Sequence, residues 1–279
     1  MTDPQLMPYP GLELTEDMRA ALDISERLIP GPAGAPDVRV LLYRPRDVTG
    51  ELPLILSIHG GAFAMRPDNF PAGDAAMAML GAQVVAVDYR RVPDDPFPCG
   101  PEDCYAALLW AVDGLDVDQA RVVVTGPSAG GALSAAVTLM ARDRGGPAIA
   151  FQALSIPVLD DRCDTTSMHQ YVEAPLFGGG QARAMWDLYL GTKDRDQTSP
   201  YAAPARAASL AGLPPAFIQV GGLDPLRDEG IAYATRLMAE NIPVELYCAP
   251  NQHHGVSEDP RTAAHARDLF HDAIRAAIT

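Results

Sequence analysis

The strongest constraint on the fold is a junction that has no loop. Arg121-Val122-Val123-Val124-Thr125 runs straight into Gly126-Pro127-Ser128-Ala129-Gly130-Gly131, and an alanine-rich stretch continues to about Arg144. Consecutive valines mark a strand buried on both faces, and the alanines that follow favour helix. A strand can become a helix over so few residues only through a sharp turn. Gly126 and Gly130 leave room for it, because a Cβ at either place would crowd neighbouring backbone. The same alternation recurs. Apolar runs at 38–43, 52–59, 83–88, 148–155, 216–220 and 244–248 read as further strands, and 15–23, 72–80, 102–112 and 261–278 read as helices. Alternating strands and helices predict an α/β fold, a mainly parallel sheet with helices on both faces, whose ligands sit beyond the carboxyl ends of the strands.

At 279 residues the chain fits one large domain, or one domain with a small accessory lid, and its 48% apolar content supplies an ordinary core. Residues 162–210 break the alternation. They contain Gly178-Gly179-Gly180 and helical stretches near 182–189 and 204–210, and are too long for a plain connection. They are expected to form a lid over the carboxyl edge of the sheet. The formal charge of −15 comes without any basic run, which argues against a nucleic-acid partner. Cys99, Cys104, Cys163 and Cys248 form no paired motif, and neither a leader pattern nor a membrane-spanning run is present, so a cytoplasmic protein without stable membrane insertion is expected.

The chemistry-bearing residues fall at strand ends. Gly126-Pro127-Ser128-Ala129-Gly130 matches G-x-S-x-G, which lifts a serine hydroxyl above the sheet beside a helix N-terminus, where developing negative charge is favoured. The bland alternative makes Ser128 only a helix cap. The turn lacks the lysine and the spacing of a phosphate-binding loop. His59-Gly60-Gly61-Ala62-Phe63 follows another strand, and its N–H groups, with that of Ala129, could converge on one oxygen. His59 is expected to fix this loop through its ring nitrogens rather than act as a base. A serine nucleophile needs a base and the base an orienting carboxylate. Asp224 lies just past the strand at 216–220, with Asp228 as its rival at the next helix start. His254 follows the strand at 244–248, with His253 adjacent, and local chemistry leaves both pairs open. His169, His265 and His271 form no ligand cluster, so no metal is expected.

Taken together, His59-Gly60-Gly61-Ala62-Phe63, Asp88-Tyr89-Arg90, Pro96-Phe97-Pro98, Gly126 to Gly131, Leu213-Pro214-Pro215, Asp224 to Glu229 and His254-Gly255 resemble the bacterial hormone-sensitive-lipase-like esterases, family IV of the α/β-hydrolases. The likeness covers nearly everything beyond residue 24. It implies an eight-stranded, mostly parallel sheet with a small helical cap, and a serine carboxylesterase acting on short- to medium-chain esters. Ser128 would be the nucleophile, His254 the base and Asp224 its orienter. Gly61, Ala62 and Ala129 would supply the oxyanion hole, supported by His59, Gly60, Gly126 and Gly130. The implied domains are a short N-terminal cap segment (1–23), a catalytic domain (24–161 and 211–279) and a cap insertion (162–210). No cofactor is needed; the partners are a small ester and water, with a homo-oligomer, a dimer if any, in keeping with the family. An amide, carbamate or lactone hydrolase with the same residues, or a non-catalytic binding protein, are the other readings.

Three positions depart from the family pattern. Ala62 replaces a glycine, and the oxyanion hole is expected to survive if Ala62 keeps φ below zero. Pro127 replaces an acidic residue, removing a donor and a charge beside the nucleophile. Val256 replaces an aromatic residue and implies a smaller wall. The short N-terminal segment further implies a reduced, mobile or more open cap.

Overall fold

The computed structural model describes residues 13–69, 71–192 and 194–279, and only the backbone of Asn69 and Val256. The first half of the N-terminal segment, residues 1–12, and the wall at the Val256 side chain therefore lie outside the described residues. One sheet holds eight strands: β1 (Leu22–Ile29), β2 (Val38–Pro45), β3 (Leu52–Ile58), β4 (Gln83–Asp88), β5 (Val117–Pro127), β6 (Phe151–Ser155), β7 (Ala216–Gly221) and β8 (Val244–Ala249). Their order is β1-β2-β4-β3-β5-β6-β7-β8. The first two strands run antiparallel to their neighbours, and every pairing from β4 to β8 is parallel. The expected eight-stranded, mostly parallel sheet is what forms.

Among the described residues eight helices accompany it: α1 (Glu16–Ala21), α2 (Pro71–Ala78), α3 (Cys99–Gly114), α4 (Ala129–Arg144), α5 (Thr166–Gln170), α6 (Gly179–Leu190), α7 (Arg227–Ala239) and α8 (Pro260–Ile278). Strand alternation explains the two layers. Leu54, Leu56 and Ile58 of β3 enter a core with α3 and α4. Ile55, between them, joins Ala75 and Ala78 of α2 and Ile274 and Ile278 of α8 on the other face. All of β3 is buried, so it is apolar at every position but Ser57, whose hydroxyl donates to the buried Asp74, rather than alternating. Residues 129–141 of α4 are buried without exception, which explains a stretch of small and apolar residues in which Ser134 and Thr138 are the only polar side chains. Each fully buried leucine or isoleucine contributes roughly 1.5–3 kcal/mol to holding these layers together.

Several boundaries differ from those read in the sequence. The first helix ends at Ala21, because Leu22 already pairs with Pro45 as β1 begins. That strand is the first of the two short strands expected on either side of the turn at 30–34. No apolar period marks its bounds, because its six middle residues are all exposed at the sheet edge. The domain boundary expected at residue 23 consequently falls inside β1. The helix expected at 102–112 starts earlier, at Cys99, with Pro101 in the first turn, where no hydrogen-bond donor is required. Near 204–210 only a short 3-10 turn forms, at Pro204–Arg206. Among the described residues, α5, a short 3-10 turn at Pro67–Asn69 and a small hairpin of β9 (Gln252–His253) with β10 (Val256–Ser257) have no counterpart in the sequence reading.

The insertion is tied to the chain that follows β6. Asp161 is fully buried and accepts two hydrogen bonds from Arg206, at 2.7 and 2.9 Å, and one from Thr198 at 2.8 Å. Arg195 reaches the Asp161 carbonyl and donates to Asp187 at 2.6 Å. Arg183 donates to the Cys163 carbonyl at 2.8 Å. All four cysteines are free thiols.

Candidate active site

Ser128 sits between β5 and α4 with φ 55° and ψ −120°, a conformation that costs about 1–3 kcal/mol outside glycine. The surroundings impose it. The Ser128 N–H donates to the Ser155 carbonyl at 2.8 Å, and its carbonyl accepts from Ala132 at 3.2 Å and Val158 at 3.1 Å. A Cβ on Gly126 would lie 2.2 Å from the Ile58 carbonyl oxygen, and one on Gly130 only 1.9 Å from it. The end of β3 therefore presses directly on the turn, and only glycine permits that approach.

Asp224 follows β7, and its carboxyl is 1% exposed. One oxygen accepts from the Leu226 N–H at 2.9 Å and the other lies 2.8 Å from His254 Nδ1. His254 Nε2 is 2.8 Å from Ser128 Oγ. A carboxylate can only accept, so Nδ1 carries the ring proton and Nε2 faces the serine hydroxyl as an acceptor. His254 reaches this position from the tip of the β9–β10 hairpin, where Gly255 at φ 73° turns the chain back. The close approach of β7 to that hairpin is again glycine-dependent: a Cβ on Gly221 would sit 2.6 Å from the Gln252 carbonyl oxygen.

The rivals lie elsewhere. His253 is held in β9 opposite Val256. Asp228 accepts from Arg227 at 2.8 Å and from the Ser167 N–H of α5 at 2.7 Å. Burial works against its charge, but Arg227 and Ser167 hold its carboxyl below the usual carboxylate range.

The turn after β3 lies over the nucleophile turn, since a Cβ on Gly60 would meet the Pro127 carbonyl oxygen at 2.8 Å. His59 is stacked on Tyr89 at 4.3 Å, and burial pushes its pKa down to about 4, so the ring is neutral near pH 7. Its Nδ1–H donates to the Gly60 carbonyl at 2.8 Å, while Nε2 has no partner among the described residues; one ring nitrogen, not both, braces the loop. Ala62 does not keep φ below zero. It has φ 53°, and Phe63 after it has φ 60°. The chain must bend left-handed at both residues to fold back, as the hydrogen bonds from Ala64 and Met65 to the Gly61 carbonyl record. Pro127 is exposed.

The insertion brings further residues to this site that the sequence reading did not single out. Phe177 packs against the His254 ring with centroids 4.7 Å apart. Phe63 stacks on Tyr189 at 3.7 Å, and Trp186 completes the cluster. The available signal was a set of aromatic residues inside an otherwise polar insertion, but nothing local says what such residues touch. Among the described residues no group of His, Cys, Asp and Glu could hold a metal ion, and no helix is long and apolar enough to cross a membrane.

A family described as having the alpha/beta hydrolase fold matches residues 55–258. The chain belongs to the α/β-hydrolases. Within that superfamily it is a member of the hormone-sensitive-lipase-like carboxylesterases. It is 37% identical to Esterase LipI of Mycobacterium tuberculosis over 84% of this chain and 75% of that protein. It is 36% identical to Carboxylesterase NlhH of the same species over 88% of this chain and 78% of that one. A solved structure, Bacterial Heroin Esterase, superposes with a TM-score of 0.89 at 39% identity, over 93% of this chain and 85% of that chain. This α/β-hydrolase is accordingly a serine ester hydrolase.

Proposed function

We propose that this α/β-hydrolase cleaves short- to medium-chain carboxylic esters, with Ser128 as nucleophile, His254 as base and Asp224 as its orienting carboxylate. The observation that carries this reading is the continuous line from Asp224 Oδ2 through His254 to Ser128 Oγ, 2.8 Å at each step. In the first half-reaction Ser128 Oγ attacks the carbonyl carbon while Nε2 takes its proton. The N–H groups of Gly61, Ala62 and Ala129 are the proposed donors to the oxyanion. Ala129 is the first residue of α4, so its N–H has no partner within the helix. His254 then returns the proton to the departing alcohol. Water, deprotonated by the same nitrogen, releases the acid from the acyl-enzyme. Residues 162–210 are the proposed cap. The short acyl preference is supported by the Phe63, Tyr189 and Trp186 cluster, all buried, which fills the space directly after the proposed oxyanion turn.

The test is turnover of p-nitrophenyl esters from acetate to palmitate beside S128A prepared in the same way. Rapid release from acetate and butyrate, lost in S128A and declining toward palmitate, is expected. A folded protein with no serine-dependent turnover of any ester would refute the assignment of these residues to ester hydrolysis and favour an amide or lactone substrate.

A further inference from the structure

The two hydrogen bonds of His254 lie at Nδ1 and Nε2, on nearly opposite sides of the ring. They fix the line between those atoms. They do little to stop the ring rocking about that line, because such a motion changes neither distance to first order. The backbone offers limited restraint, since His254 sits at a two-residue hairpin tip with Gly255 at φ 73° after it and Asn251 at φ 54° before the hairpin. What meets the ring face is Phe177, tilted by 35° with centroids 4.7 Å apart.

Phe177 is held there from an unexpected direction. Its loop is folded by hydrogen bonds from Gly179 to the Tyr171 carbonyl at 3.1 Å and from Gly180 to the Val172 carbonyl at 3.4 Å. The loop grows out of α5, and α5 is fastened to the chain just after Asp224. Ser167 Oγ donates to the Pro225 carbonyl at 2.8 Å and accepts from the Asp228 N–H at 3.1 Å, while the Ser167 N–H donates to the Asp228 carboxylate at 2.7 Å. Arg227 lies over the Tyr171 ring at 5.5 Å and donates to the Gly222 carbonyl at 2.9 Å. The segment that carries Asp224 thus anchors the insertion, and the insertion covers the ring that Asp224 holds.

We propose that Phe177 is a positioning residue for the general base: the insertion clamps the face of His254 and keeps its ring in the orientation that joins Asp224 to Ser128. This rests on the esterase reading above. Asp228 then acts as the anchor of the clamp, through α5 and the loop that carries Phe177. An aromatic pair of this kind is worth about 0.5–1.5 kcal/mol beyond simple burial, which corresponds to roughly 2- to 12-fold in the population of the productive ring orientation.

The experiment compares wild type, F177A, F177L and F177Y as full-length protein. It measures kcat and KM on p-nitrophenyl acetate, and the downfield proton resonance of His254 Nδ1–H by NMR without substrate. F177A is expected to lower kcat by roughly 2- to 12-fold with KM little changed, and to broaden or remove the resonance. F177L, which keeps bulk but not the flat ring, should fall between, and F177Y should restore both. D228N should broaden the resonance in the same direction by slackening the anchor. A resonance that F177A leaves sharp and unmoved overturns the proposal. So does a raised KM at constant kcat, which would make Phe177 a substrate wall. If F177A fails to fold, F177L decides by the same two readings. If wild type turns over no ester, the esterase reading falls, while the resonance still decides whether Phe177 holds the ring.

Discussion

Ala62 carries a methyl group in the left-handed region, at φ 53°, within the turn proposed to donate to the oxyanion. Glycine adopts that conformation freely, whereas alanine is strained there. A62G should therefore stabilise the protein, raising Tm by about 2–4 °C for a domain of this size, with kcat/KM preserved because only the N–H is used. Calorimetry beside ester turnover checks both halves, and a lower Tm would show that the methyl contributes more by packing than it loses in backbone strain. The residue-level reading of the sequence identified the glycines whose absent Cβ matters, at 126 and 130, from the motif alone. It could not set the sign of φ at Ala62, which depends on how the turn folds back through Met65 and lies over Pro127.

At the scale of elements, α6 carries the aromatic residues on which the proposed short-acyl preference rests. Trp186 and Tyr189 project from one face of that helix onto Phe63, which follows the end of β3. Replacing Trp186 by leucine removes one side of the cluster at a cost in stability of a few kcal/mol at most. The expected outcome is a shift of the best p-nitrophenyl ester from acetate or butyrate toward hexanoate or longer, read as kcat/KM along the series. An unchanged chain-length profile would mean that the acyl group lies elsewhere. The helix itself was legible in the sequence, at nearly its observed bounds. Its partner was not, because the contact joins residues more than a hundred positions apart and no periodicity encodes such a pairing.

For the molecule as a whole, stability responds to pH through buried groups that act in opposite senses over overlapping ranges. Asp74 lies on α2, accepts from Ser57 of β3 at 2.6 Å, and is pushed by burial from 3.8 up to about 7. The folded chain therefore holds that proton more tightly than the unfolded one, and this contribution is complete below pH 3.8 and lost as pH rises to about 7. His59 behaves in the reverse sense. Its pKa is lowered by burial from 6.5 to about 4, so its contribution is complete above pH 6.5 and lost as pH falls toward 4. The two oppose one another between those limits. Above them the carboxyls act alone, with Glu229 of α7 also raised by its burial. The midpoint of urea unfolding should thus be higher at pH 6.5 than at pH 8, with Asp74 accounting for about 1 kcal/mol of the difference. D74N should reduce that drop, and an equal drop in D74N and wild type would remove Asp74 as its source.

The sequence by itself determined the α/β class, the mainly parallel sheet and the placement of Ser128, Asp224 and His254 at strand ends. Those properties are local: apolar period, glycine-dependent turns and helix formers act over a few neighbouring residues. Local chemistry left His253 beside His254 and Asp228 beside Asp224, and the family resemblance implied His254 and Asp224. Tertiary structure supplies the reason, a two-residue hairpin tip for His254 and α5 as the partner of Asp228. It also set the conformation of Ala62 and brought Phe177 onto His254. The physical reason is separation along the chain. His254 meets Asp224 across 30 residues and Ser128 across 126, and such contacts exist only once the sheet has set the distances between strand ends.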